Sequence, residues 1–463
     1  EGYTRQVQTN VVVSSGKMTE VEASLSGEFT EMEEFVVQDL QIGGTEANLL
    51  QLRAESPALL DSISSELLSK AGATDAASAL NLVAGATVQD GKFAVVRGLP
   101  DRYVNSQMNG VRLPTADPDK RAVQLDQFPS EVIDSVQVSK TFTPDQQGDA
   151  SGGAVNVILK GIPDKNVFKF KSGAEYNTQV TGKDNFLTYK GGGVNFLGID
   201  DCSRDIPSDG NFTGPLGISR DDAPIDYAMS MTAGGKHEFN NGIKVGGLFS
   251  PYYKRDSSYY DNGVNDSLWI DNKDPKKGLT PQYGNPDQPP EPPVPAVGED
   301  FKTSLFDVTE SAEEMQWGVL TAVGAEIEDH SLNVIHMHTH VAEDKSILAE
   351  DTRGKAYYFP GYDPNDPKGL GNAPDNQFAA PYLRSETLMY TERTTDTLQF
   401  NGDHTLPVSE IGYEGFFTIL PPKTDWTVAF SSSGLYEPDK RQFGSAWYAE
   451  SYDEGYPVYG IPP

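Results

Sequence analysis

Two stretches of the chain decide its fold: AVVRGLPDRYVNSQMNGVRLP at residues 94–114 and RAVQLDQFPSEVIDSVQVSKTFTPDQQGDASGGAVNVILK at residues 121–160. Both alternate short apolar, β-prone runs with residues that favour tight turns. The turn-forming pairs are Arg97-Gly98, Asn109-Gly110 and Gly152-Gly153. Short apolar runs between such pairs are typical of strands joined by sharp corners. The two stretches therefore predict a small α/β domain.

This region resembles the plug domain of TonB-dependent outer-membrane transporters. The order RG, NG(V)R, P, ID(S)V(Q)V, K and GG(A)VN(V)I carries the resemblance, which covers about residues 42–160. The resemblance implies a domain enclosed in a barrel, with Arg97 in contact with glutamates of the barrel wall, for which Glu326 is one candidate. An enclosed arginine needs carboxylate partners because an unpaired buried charge is costly. The alternative is an exposed arginine before a glycine turn.

A short helix is predicted inside this domain. Asp75 is a suitable N-cap for residues 76–84, and Gly85 follows where a helix would stop. The helix is therefore expected to begin at Ala76 and to end near Ala84.

The composition of the 463 residues limits the classes of function. One cysteine, Cys202, allows no intrachain disulfide and no cluster of cysteine ligands. The apolar runs are shorter than the roughly 20 residues that a membrane-spanning helix needs, whereas barrel strands alternate and keep the average hydropathy low. The net charge of −32 disfavours a nucleic-acid partner. Solvated acidic loops and the capture of cationic ligands both remain open as explanations of this charge.

The N-terminal residues predict a strand pair and then a linker. Residues 8–13 and 20–25 alternate across a Ser-Ser-Gly turn, and residues 1–30 are similar to the end of a carboxypeptidase-regulatory-like sandwich. Residues 31–41 follow as a linker, where the resemblance implies a TonB box that adds as a strand to a TonB-like energy-transducing protein. The alternative is a last strand of the sandwich. The candidate box residues are Glu34, Phe35, Val36, Val37 and Gln38.

Residues 165–463 predict the first strands and loops of an antiparallel transmembrane β-barrel. Seven alternating strands are predicted, at residues 167–177, 227–239, 242–255, 315–327, 331–344, 385–404 and 425–436. Long and tight connections alternate between them, as in outer-membrane barrels with short turns on one rim and long loops on the other. A plugged barrel needs about 22 strands. We therefore expect an internal piece of a longer protein whose barrel cannot close and whose first and last strands keep bare edges.

No catalytic motif is present, so neither an enzyme nor a cofactor is predicted. His336, His338 and His340 share one face of a predicted strand, and the opposite face carries Ile335 and Met337, which suit lipid. The histidines are therefore expected to line the lumen. Their spacing of about 7 Å makes a poor chelate, so no metal site is predicted, and the three histidines are named only as candidate metal ligands.

Aromatic residues cluster in the predicted loops. Tyr357, Tyr358 and Tyr362 have faces that stack on sugars or planar chelates, and they are the candidate ligand-binding residues. An aromatic girdle at the barrel rim is the alternative.

The predicted function is that of a TonB-dependent receptor in the outer membrane of a Gram-negative bacterium. It is expected to import a large scarce nutrient, such as a siderophore or an oligosaccharide, with energy from the inner-membrane proton-motive force. The expected partners are a TonB-like protein, outer-membrane lipid and an unknown small-molecule or oligosaccharide ligand. The alternative is a surface or secreted β-rich binding protein without transport.

Overall fold

The computed structural model of the chain describes residues 46–56, 59–118, 122–141, 146, 148, 151–201, 217–266, 268–270, 279–281, 305–351, 382–405, 411–413, 417–419, 422–447, 451–453 and 456–458. The predictions for residues 1–30, for the linker with the candidate box at residues 34–38, and for Tyr357, Tyr358 and Tyr362 lie outside this set. Within it, no helix is long and apolar enough to cross a membrane.

The N-terminal part of the described chain is an α/β domain. Its elements are α1 (Glu46–Glu55), β1 (Leu60–Ser64), α2 (Ser65–Ala71), α3 (Ala76–Leu80), β2 (Ala86–Gln89), β3 (Phe93–Val96), β4 (Val104–Met108), β5 (Val111–Arg112), β6 (Ile133–Ser139) and β7 (Gly153–Leu159). Five strands form one sheet in the order β1-β6-β7-β4-β5, in which β4 and β7 are parallel, and β2 and β3 form a separate hairpin. Single turns of 3₁₀ helix cover Asp101–Tyr103 and Leu125–Gln127.

The capping residues of this domain explain where its short helices start. Asp75 Oδ1 accepts a hydrogen bond from the Ser78 backbone N–H at 2.7 Å, and Ser78 Oγ accepts one from the Asp75 N–H at 3.1 Å. This reciprocal pair confirms the predicted start of α3. The predicted end at Ala84 is wrong, because the helix stops at Leu80 and successive i→i+3 turns lead to Gly85 at φ 75°. These tighter turns bring the backbone into the β2–β3 hairpin.

The C-terminal part is dominated by long strands. Its elements are β8 (Val167–Glu175), β9 (Phe186–Thr188), β10 (Ser219–Asp221), β11 (Asp226–Glu238), β12 (Ile243–Asp266), β13 (Leu268–Ile270), β14 (Leu279–Pro281), β15 (Leu305–Ile327), β16 (His330–Asp351), β17 (Tyr382–Thr405), β18 (Ile411–Tyr413), β19 (Phe417–Ile419), β20 (Lys423–Trp447), β21 (Ser451–Asp453) and β22 (Tyr456–Val458). Seven of them form an antiparallel sheet in the order β8-β11-β12-β15-β16-β17-β20, which we call the wall.

All seven predicted strands are present, and most extend further into the connections than predicted. The pairing of β12 with β15 continues from Arg255 and Met315 to Asp266 and Leu305. Backbone ladder bonds do not require apolar side chains, so the strands persist where the apolar alternation has ended. The strands β8 and β20 form the two edges of the wall, and they do not pair with each other within the described residues. The predicted open barrel is thereby confirmed.

One face of the wall packs on the α/β domain, and we call it the inner face. Leu248, Leu320, Ala322, Ile335 and Met337 on this face belong to the same buried apolar cluster as the core of the α/β domain. Because side chains alternate along a strand, their sequence neighbours point to the opposite, outer face. The contact with the α/β domain therefore identifies the side chains of the inner face, and the remaining side chains of these strands form the outer face.

Candidate functional site at the interface of the α/β domain and the wall

The Arg97-Gly98 pair forms a left-handed turn at the end of β3. Arg97 has φ 53° and Gly98 has φ 75°, and Val96 and Leu99 exchange backbone hydrogen bonds of 3.2 and 2.9 Å across them. The Arg97 side chain is exposed and has no ion pair within the described residues. Glu326, considered as its partner, instead lies 2.7 Å from Lys236 Nζ. Within the described residues, Arg97 is therefore the exposed arginine before a glycine turn that was the alternative prediction, and the expected contact with wall glutamates is not formed.

A different cation of the α/β domain reaches the wall. Lys92, at the other end of β3, places its Nζ 3.3 Å from Glu343 Oε2, 3.5 Å from Glu314 Oε2 and 3.6 Å from Asp126 Oδ2. Arg393 of β17 shares both glutamates, at 3.5 Å from Glu343 and 3.8 Å from Glu314. We call these five residues the ion cluster. It joins the domain to three neighbouring strands of the wall.

The ion cluster keeps Lys92 charged. Burial favours the neutral amine, and Arg393 acts in the same direction, but the carboxylates of Glu314, Asp126 and Glu343 outweigh them and raise the pKa of Lys92. Lys92 is therefore a permanent cation at neutral pH and an electrostatic attachment of the domain to the wall.

Neutral hydrogen bonds form two further attachments. The Gln127 carbonyl oxygen accepts from Gln316 Nε2 at 2.8 Å and from Tyr252 Oη at 3.3 Å, and Thr339 Oγ1 donates to Gln127 Oε1 at 3.3 Å. These bonds fix the 3₁₀ turn of Leu125–Gln127 against β12, β15 and β16. The attachment is polar, so water can replace its hydrogen bonds if the two surfaces separate.

The second hydrogen-bonded attachment is formed by the Asn109-Gly110 turn between β4 and β5. Its φ angles of 48° and 79° are those of the predicted hairpin turn. Asn109 Oδ1 accepts from the Leu159 backbone N–H at 2.9 Å, which secures the turn to β7. Asn109 Nδ2 and Gln399 Nε2 then donate across the interface, each at 3.4 Å.

Residues 53–155 match the family described as the TonB-dependent Receptor Plug Domain. This segment contains most of the α/β domain, including Lys92, Asn109 and Gln127. The α/β domain is a TonB-dependent receptor plug. The match confirms the resemblance given by the RG, NG and GG motifs.

Solved receptor structures align with the chain at low identity. The ferripyoverdine receptor of Pseudomonas aeruginosa is 13% identical with a TM-score of 0.35, over 88% of this chain and 47% of that one. The ferric citrate transporter FecA is 11% identical with a TM-score of 0.31, over 87% and 61%. The Serratia marcescens hemophore receptor HasR is 12% identical with a TM-score of 0.25, over 82% and 60%. The chain thus spans less than two thirds of these receptors. No curated protein matches it.

The Gly152-Gly153 pair is required by close backbone packing at the start of β7. A methyl group on Gly152 would lie 2.9 Å from the Tyr103 carbonyl oxygen, and one on Gly153 would lie 2.5 Å from the Ser139 carbonyl oxygen. Gly153 also has φ 124°, which side-chain-bearing residues rarely adopt. The pair therefore lets β7 insert between β4 and β6 of the plug.

The three histidines of β16 lie on the outer face, which corrects the expectation that they line the lumen. Ile335, Met337 and Thr339 face the plug instead. The expectation treated apolar residues as lipid-facing, but the plug fills the interior with an apolar core of its own. His338 Nδ1 lies 2.8 Å from Asp396 Oδ1 on the outer face. Among the described residues, no group of three or more His, Cys, Asp or Glu is placed to hold a metal.

The residues of the ion cluster were not identified from the sequence. The alternation of side chains along β15 gave a partial indication, because it places Glu314 and Gln316 on the face opposite to Trp317, Val319 and Val323. Nothing local links them to the plug, since Lys92 and Glu343 are 251 positions apart. The site is created by the docking of the plug on the wall.

Proposed function

We propose that this chain is the plug-bearing part of a TonB-dependent receptor that imports a large scarce nutrient, such as a siderophore or an oligosaccharide. Energy would come from the inner-membrane proton-motive force through a TonB-like protein. The ligand would bind the extracellular loops and the outward end of the plug.

The observation that carries the proposal is the plug–wall interface. It combines an apolar patch with the ion cluster and the polar contacts of Gln127 and Asn109. A plug that must move during transport has to break these contacts reversibly, and polar pairs can be exchanged for water at low cost. A permanently sealed interface would be served as well by apolar packing alone.

Coupling to TonB is assigned to Glu34, Phe35, Val36, Val37 and Gln38. An extended β-prone segment that precedes the plug can add as a strand to a partner's sheet edge. A pull on this segment would act on the plug from its N-terminal side and load the three attachments to the wall.

The test separates ligand binding from uptake. Growth of a receptor-dependent strain on candidate iron and carbon sources first identifies the imported compound. Deletion of residues 34–38 from the full-length receptor should then leave the binding of that compound unchanged and abolish its uptake. Deletion of five residues from the preceding segment 26–30 is the matched control and should spare both. Normal uptake by the 34–38 variant would refute the assigned box, and failure of every compound to depend on the receptor would refute import.

A further inference from the structure

The outer face of the wall begins with an apolar band next to the tight turns. On β12 and β15 the band covers nine positions, from Ile243 to Pro251 and from Ile327 to Val319, which pair in register. Its exposed members include Val245, Phe249, Val323 and Ile327. A strand needs about 9–11 residues to cross the hydrocarbon core of a bilayer. On these two strands the band therefore has the height expected for the lipid-facing belt, and His336, His338 and Asp396 of the neighbouring strands lie level with its upper edge, from Thr321 to Val319.

An aromatic girdle closes the band on the side of the long connections. Tyr253 and Trp317 pair across β12 and β15 directly above it, and Tyr227 of β11 stacks on Tyr253 with ring centroids 5.6 Å apart. Aromatic girdles of this kind mark the boundary between acyl chains and headgroups. The girdle thus sets the level of the outer-leaflet surface.

Beyond the girdle, residues 186–200 lie across the outer face, and we call this segment the strap. Carboxylates of the wall accept hydrogen bonds from its backbone. Asp344 accepts from the Gly193 N–H at 2.9 Å, Glu313 from the Val194 N–H at 3.2 Å and Glu392 from the Asp200 N–H at 2.5 Å. Charged groups on a lipid-facing surface are unfavourable. This part of the wall therefore lies outside the bilayer, and the strap is specifically built onto it.

The strap meets the girdle at residues 196–198. The Phe196 ring stacks on Tyr253 with centroids 4.8 Å apart, and Trp317 Nε1 donates to the Leu197 carbonyl oxygen at 3.0 Å. Gly198, at φ 64°, is pressed against the wall so closely that a methyl group there would lie 2.8 Å from Ala342 Cβ. The segment is thus held at one height, immediately above the apolar band.

Three apolar side chains of the strap are exposed at this height. Phe196 is 60% exposed, Leu197 52% and Ile199 49%. We propose that these three side chains contact the outer leaflet of the membrane, at the boundary between its headgroups and acyl chains. Continuity with the apolar band and the girdle identifies lipid as the occupant, because the exposed side chains extend the lipid-facing surface outward from the wall. The strap would then enlarge the protein surface that contacts lipid of the outer leaflet.

This inference rests on the membrane location of the wall and not on the compound that is imported. It is tested in the full-length receptor with Cys202→Ser and any other cysteine removed, in nanodiscs. An environment-sensitive fluorophore is attached to Phe196→Cys or Ile199→Cys. Val323→Cys in the apolar band is the lipid control, and Lys70→Cys is the water control, since the side chain of Lys70 is 70% exposed.

The probes are aqueous iodide and phospholipids that carry a nitroxide near the headgroup. Iodide should quench positions 196 and 199 several-fold less than position 70, and the nitroxide lipid should quench them strongly. Quenching by iodide equal to that at position 70 would overturn the inference. Protection that disappears in discs holding a single receptor would also overturn it, because a second copy would then be the occupant. If position 323 itself avoids the lipid quencher, the membrane location of the wall fails together with the inference.

Discussion

At the residue scale, the plug depends on a backbone contact that only glycine permits. Gly153 brings β7 close to the carbonyl oxygen of Ser139 while its own φ is 124°. Backbone atoms cannot move aside as a flexible side chain can, so both the contact and the dihedral angle exclude a β-carbon. This accounts for the Gly152-Gly153 pair in a run that otherwise consists of β-prone residues.

The Gly153→Ala substitution is expected to destabilise the plug by about 2–4 kcal/mol, because backbone strain and overpacking add. Calorimetric or denaturant unfolding of the plug within the receptor measures the change. The matched control is Gly148→Ala, where a methyl group meets nothing within 4 Å. Equal stability of the two variants would show that β7 can shift and that the close approach is not required.

The folded state disfavours the protonated form of Lys160, which lies at the C-terminal end of the plug. Burial, followed by repulsion from Lys171, lowers the pKa of its amine from 10.5 to about 8, although its Nζ donates to the Glu131 carbonyl oxygen. The folded state therefore releases this proton at lower pH than the unfolded state does. Plug stability should rise with pH between 8 and 10.5. Below pH 8 both states hold the proton, so this contribution is constant.

The Lys160→Met variant is expected to lose that pH dependence. The measurement is the midpoint temperature of plug unfolding between pH 7.5 and pH 9.5, a window of roughly two units around the lowered pKa. The wild type should gain stability across the window more steeply than the variant. Lys70→Met serves as control, since Lys70 is a largely exposed lysine that forms an i,i+4 ion pair with Glu66 of its own helix. Parallel pH profiles for wild type and Lys160→Met would contradict the prediction.

At the scale of elements, the β2–β3 hairpin is joined to β15, β16 and β17 through the ion cluster. Lys92 is only about one fifth exposed, and Glu314 and Glu343 each serve both Lys92 and Arg393. Two cations are thus shared by two wall carboxylates. The removal of either cation leaves negative charge under-compensated in a partly buried place.

The Lys92→Met substitution is expected to weaken plug docking by about 1–3 kcal/mol, less than for a fully buried pair because water reaches the cluster. Limited proteolysis of the plug in the folded receptor and its unfolding temperature report the change. The exposed Lys70→Met variant is again the matched control and should behave as wild type. If Lys92→Met keeps wild-type protease resistance, the ion cluster does not hold the plug.

At the scale of the whole molecule, the two faces of the wall have separate environments. The inner face carries the plug contacts, and the outer face carries the apolar band, the girdle and the strap in order of height. Val323 lies at the centre of the nine-position band and is 55% exposed, whereas Ile327 lies beside the tight turn and is 46% exposed. Similar exposure at two depths allows a direct test of the bilayer position.

Arginine in place of Val323 is expected to cost about 2–4 kcal/mol in folding into vesicles, and arginine in place of Ile327 about 0–1 kcal/mol. The reason is depth, because a charge near the interface reaches water and one at the midplane does not. Denaturant-dependent folding into lipid vesicles measures both values. Equal costs at the two positions would refute the placement of the band across the hydrocarbon core.

The sequence by itself determined the turns of the plug, the start of α3, the seven strands of the wall and the alternation of tight and long connections. It also separated the two faces of β12 and β15, since Val245, Phe249, Val323 and Ile327 share the apolar outer face. These features are local, because turn residues, caps and the two-residue period of a strand depend on neighbours in the chain.

Only the tertiary structure decided which face of β16 meets the plug and which cation is paired with the wall. Alternation distinguishes two faces but does not say what covers each, and both faces of β16 carry apolar residues because the plug core lies on one side. The pairing of Lys92 with Glu314 and Glu343, and the exposure of Arg97, likewise depend on how the plug docks. Such contacts join residues far apart in the chain, so no local pattern encodes them.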